Sequence, residues 1–68
     1  MVRNYDELRK KILGKYGSLA PFAKDLGITP STLSTKLKGK TDWSRAEIAR
    51  TKELLGLTLE EVFEYFFN

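Results

Sequence analysis

Residues 19–40 run LAPFAKDLGITPSTLSTKLKGK: an apolar-spaced segment, a glycine, then a segment rich in Ser, Thr and Lys. Ahead of Gly27, Leu19, Phe22, Ala23 and Leu26 recur at helical spacing, and Pro21 is tolerated in a first turn whose N–H groups have no intrahelical acceptor anyway. Behind it, Thr29 is a predicted cap and Pro30 takes the first helical position, where its fixed φ is already helical. Ile28 and Leu33 can close a hydrophobic staple around that entry, and Gly39 ends the run. Two capped helices joined by a short link centred on Gly are the sequence form of a helix-turn-helix. Ala23, four residues before the glycine, is small where two steeply crossing helices approach each other.

The flanking sequence is punctuated in the same way. Upstream, Asn4 and Glu7 form a predicted capping box before Tyr5, Leu8, Ile12 and Leu13, with Gly14 and Gly17 bracketing the end of that helix. Ser18 is the predicted cap of the second helix. Downstream, Trp43-Ser44-Arg45-Ala46-Glu47-Ile48 places a staple residue, a cap, the reciprocal Glu and the staple partner in order, and Leu57-Thr58-Leu59-Glu60-Glu61-Val62 repeats that grammar after Gly56. Each such box contributes about 1 kcal/mol, a sizeable share for a small domain. The staple position of Trp43 favours packing over a contact with phosphate. In the last helix Leu59, Val62, Phe63 and Phe66 share a face assigned to the core, with Tyr65 and Phe67 on opposite flanks. Val-Phe-Glu-Tyr-Phe-Phe also has strand propensity, against which the capping box argues for helix. The expectation is an all-α, five-helix chain forming one domain over residues 1–68.

Composition narrows the function. The chain has no Cys and no His, which removes disulfides, the usual zinc ligands and the commonest general base. There is no Gly-rich phosphate loop and no metal-ligand cluster, so neither an enzyme nor a cofactor is expected, and no small-molecule substrate. No apolar run approaches the ~18 residues of a membrane span and no signal-peptide pattern opens the sequence, so no membrane association and a cytoplasmic location are expected. Residues 1–40 hold nine Lys/Arg against three Asp/Glu, while residues 41–68 hold three against six. A basic half suits a polyanion; an acidic half suits solubility or a partner.

The third helix shows where the polyanion would sit. At 100° per residue with Leu33 at zero, Leu37 falls at about 40°, and Thr35, Ser31 and Lys38 at about 200°, 160° and 140°. Thr32 and Ser34 flank them. This outward face carries hydroxyls and lysine and no carboxylate, whereas a merely solvated face would carry Glu–Lys pairs. Hydroxyls bond base edges and phosphates, and a Thr methyl can touch the thymine methyl.

The run from Tyr16 to Thr29 resembles the helix-turn-helix of Cro-type (XRE-like) phage repressors. The continuation from Thr32 to Lys40, with Trp43 and Glu47-Ile48, resembles short phage and prophage Cro/repressor-like proteins, which often end in an aromatic-rich helix as Phe63-Glu64-Tyr65-Phe66-Phe67 does. The resemblance implies a lambda-repressor-like fold, usually dimeric on double-stranded operator DNA in a bacterial host cell, and control of transcription by operator occupancy. Carried over by position, Ser31, Thr32 and Thr35 match base-reading residues, and Lys38 and Lys40 match phosphate contacts. Ser18, Thr29, Pro30, Ser34 and Lys36 complete the candidate DNA-binding set. The outward face lacks the long Gln and Arg donors of many such helices, so modest base discrimination is expected, with symmetry or DNA shape supplying the rest. Tyr65, Phe66 and Phe67 are candidates for a homodimer contact, or for covering the edge of a thin core. In the competing reading the same fold is a protein-interaction module, such as an antirepressor or antitoxin subunit, docking through its acidic, aromatic half.

Overall fold

The computed structural model describes residues 5–67, and in them five α-helices and no strand. They are α1 (Asp6–Tyr16), α2 (Leu19–Leu26), α3 (Pro30–Leu37), α4 (Arg45–Leu55) and α5 (Leu59–Phe66). The predicted cap at Asn4 lies outside the described residues. Helix α1 runs through Gly14 and stops at Gly17, where φ is 78°.

Four of the local signals behave as their chemistry requires. The Thr29 hydroxyl accepts the Thr32 N–H at 3.1 Å. Ser44 and Glu47 close one capping box, with N–H to oxygen distances of 2.7 and 3.1 Å, and Thr58 and Glu61 close the other at 3.0 and 3.1 Å. Gly27 adopts φ 88°, a left-handed turn that lets its N–H and that of Ile28 both donate to the Ala23 carbonyl. Ser18 differs. It occupies the cap position of α2 but its hydroxyl makes no cap bond. The third helical residue there is Pro21, which has no N–H to offer.

The core is built where α1, α2 and α3 meet, from Leu8, Ile12, Phe22, Ala23 and Leu33, all fully buried. Fully buried Ala23 permits the close approach of α2 to its neighbours. A second, aromatic layer closes the other end: Trp43 sits 5.1 Å from the Phe66 ring and 5.9 Å from Tyr5, and Tyr5 lies 6.0 Å from Phe66. Trp43 is therefore a packing residue. Tyr16 packs edge-on against Phe22 at 5.3 Å and donates its hydroxyl hydrogen to the Asp25 carboxylate at 3.0 Å, tying α1 to α2.

Helix α5 corrects the sequence expectation. Val62 and Phe66 are buried as expected, but Tyr65 joins them, while Leu59 and Phe63, expected in the core, are exposed. Leu13 on α1 is exposed too. The amphipathic period fixes the spacing of a stripe but not which edge of a wide stripe meets the core, and Tyr5 and Trp43 receive the Phe66 edge.

Candidate nucleic-acid interface

Helix α3 presents Thr29, Pro30, Ser31 and Thr32 at its exposed start and Lys38 and Lys40 just past its end. Ser34 and Thr35 are half-buried, and Leu33 and Leu37 anchor the opposite side. Six of the predicted contacts thus lie together on open surface along one short element. Ser18 is exposed at the start of α2, its hydroxyl left free by Pro21.

Lys36 is the exception. It is buried, and its Nζ donates to the Asp42 carbonyl at 2.7 Å and lies 3.0 Å from Glu47 Oε1 and 6.0 Å from the centre of the Trp43 ring. Its ammonium fastens α3 to the start of α4 and cannot also reach a phosphate. On the helical wheel Lys36 stands on the shoulder between buried and outward faces, and its long stem lets it fold inward. Burial pushes the Glu47 carboxyl up, but the Ser44 N–H and then Lys36 outweigh it and hold it below the usual carboxylate range.

The hydroxyls divide by what their hydrogens already do. Thr29 spends its hydrogen on Thr32 Oγ1 at 2.9 Å, and Thr35 donates to the Ser31 carbonyl at 3.0 Å. Thr35 therefore offers a ligand only an acceptor oxygen and a methyl group. Ser31, Thr32 and Ser34 keep a hydrogen to donate.

Charge at the helix starts is distributed unevenly. The first turns of α1, α4 and α5 carry Asp6 and Glu7, Glu47, and Glu60 and Glu61, whereas those of α2 and α3 carry no acidic residue. Three helices have their positive N-terminal ends offset by their own carboxylates, and the two helices of the turn motif do not. Asp25, the one carboxylate between residues 18 and 40, receives the Tyr16 hydroxyl, and its carbonyl takes the Arg50 Nε–H at 3.4 Å. Among the described residues no group of His, Cys, Asp or Glu could hold a metal ion, and no helix is long and apolar enough to cross a membrane.

The expected dimer contact is altered by the packing. Tyr65 and Phe66 are inside the chain's own core, and only Phe67 is exposed.

The five helices, with α2 and α3 joined by the short turn at Gly27, define a small all-α helix-turn-helix domain. The chain belongs to the family DUF739, described as a protein of unknown function, whose profile matches residues 1–68. No curated protein matches it. Its fold is similar to the solution structure of the modulator of repression (MOR) of the temperate bacteriophage TP901-1 from Lactococcus lactis, with a TM-score of 0.80 and 35% sequence identity. That likeness covers 100% of this chain and 92% of the other. That likeness links the chain to phage regulators; the family model that matches is DUF739, not a Cro-type one.

Proposed function

We propose that this protein is a phage or prophage regulator that binds duplex DNA by laying α3 in the major groove. No catalysis is involved. One observation carries the reading: α2 and α3 alone leave their N-terminal ends free of carboxylates, at the edge of an exposed face of hydroxyls and lysine. Phosphates meet the first turn of α2, the Ser18 hydroxyl, Lys38 and Lys40, while Ser31, Thr32 and Thr35 face base edges. Binding as a Cro-like repressor would then act by operator occupancy, two copies reading half-sites about one helical turn (~34–36 Å) apart. In-vitro selection of bound duplexes from a random pool tests this. Enrichment of a short motif is expected, and a pool that stays unenriched at low salt would sink it.

A second reading is favoured by the similarity to a phage modulator of repression. In it the chain alters repression by contacting a protein, with α3 free of DNA. Gel shifts on random duplex at low salt separate the two, since a protein-only modulator leaves the duplex unshifted.

A further inference from the structure

Helix α5 carries more apolar surface than the fold covers. At 100° per residue with Leu59 at zero, Phe63 and Phe67 fall at about 40° and 80°, and Tyr65, Val62 and Phe66 at about 240°, 300° and 340°. The apolar sector is thus about 200° wide, roughly twice what a core-facing helix needs. The core takes one half. Leu59, Phe63 and Phe67 stay 66%, 63% and 59% exposed. The Phe63 and Phe67 rings lie 5.8 Å apart, so the stripe is continuous. At Phe67 it meets a groove of about 240 Å³ lined by Tyr5, Asp42, Trp43, Ile48, Phe66 and Phe67.

The margin of this surface is acidic. Glu60 and Glu64 follow the stripe at about 100° and 140° on the wheel. Both are exposed and neither is paired with a cation among the described residues, in contrast to Glu61, which lies 3.0 Å from Lys11. Asp42 adds an exposed carboxylate beside the groove.

These charges decide the occupant. A second copy paired antiparallel through the stripe would set Glu60 and Glu64 against the same carboxylates of that copy, and a parallel pairing would set them against its apolar edge. The stripe also presents only on the order of 300–400 Å², judged from the size of its side chains, against roughly 800 Å² per partner in a standard interface. We propose that the α5 stripe and the groove form a docking surface for a different protein, one that presents an amphipathic helix with apolar anchors bordered by Lys or Arg. The anchors cover Leu59, Phe63 and Phe67 and enter the groove; the cations meet Glu60, Glu64 and Asp42. The surface belongs to the acidic half of the chain and does not depend on DNA binding by α3.

The test is an NMR titration of the full chain with three synthetic peptides of about 18 residues, long enough for five helical turns. They are a Leu/Lys amphipathic helix, its scrambled isomer, and a Leu/Glu helix of the same pattern. The Leu/Lys helix is expected to shift the amides of residues 59–67 and the Trp43 indole, and the other two to leave them in place. Phe63→Gln, at a position outside the core, should weaken that binding roughly tenfold. Equal response to the scrambled peptide, shifts confined to α2 and α3, or no response would each overturn the proposal. So would concentration-dependent shifts at residues 59–67 without peptide, which would assign the surface to a second copy.

Discussion

Lys36 Nζ stands 3.0 Å from Glu47 Oε1, the same oxygen that accepts the Ser44 N–H at 2.7 Å. One carboxylate oxygen therefore closes the α4 cap and anchors α3. Replacing Lys36 with Met keeps the apolar stem but strands the Asp42 carbonyl and removes a partner of Glu47. A loss of about 1–3 kcal/mol is expected, read as a lower urea midpoint at unchanged slope. An unchanged midpoint would show that the contact contributes nothing.

The same pair sets an acid dependence. The Glu47 carboxyl is held below its ordinary range in the folded state, with burial opposing and the Ser44 N–H and Lys36 prevailing. A lowered folded pKa gives stabilisation that is complete above the unfolded value, about 4.3, and is lost as pH falls through the lowered one. Stability should therefore decline below about pH 5, and Lys36→Met should move the Glu47 titration upward in a carboxyl NMR experiment.

Helix α5 separates core from surface within four residues. Phe66→Ala should cost about 3–5 kcal/mol, because Phe66 is buried between Tyr5 and Trp43. Phe63→Ser should stay within about 0.5 kcal/mol, because its ring is already in water. Equal losses in denaturant unfolding would return Phe63 to the core.

Helix boundaries were legible because the signals are local. A cap, a reciprocal Glu and a staple partner lie within a few residues of one another, so Ser44 to Ile48 and Thr58 to Val62 could be read without knowing the fold. Long-range choices were not legible. The sequence offers α5 two adjacent apolar edges, and only the positions of Tyr5 and Trp43 choose between them. Lys36 looks like its neighbours Lys38 and Lys40; its inward turn depends on Glu47, eleven positions away on another helix. Ser18 could have been read correctly, since Pro21 three residues on has no N–H to cap.

Thr35 tests base reading with little disturbance. Its hydrogen is spent on the Ser31 carbonyl, so toward DNA it offers one acceptor and one methyl. Thr35→Val removes the acceptor and keeps the shape. Preference at one base position should relax by about 1 kcal/mol, measured by comparing selected motifs. Identical motifs from both proteins would take Thr35 out of the reading set.

The proposed interface gives Lys38 and Lys40 to DNA phosphates and leaves Lys36 to the fold. Salt dependence of duplex binding tests it most directly, with each variant compared at a temperature where it is folded. Lys38→Ala and Lys40→Ala should each lower the slope of log K against log salt by about one, and Lys36→Met should leave it unchanged. A slope lowered by Lys36→Met and untouched by the other two would contradict the assignment, and salt-independent binding by the unaltered chain would contradict DNA recognition through this face.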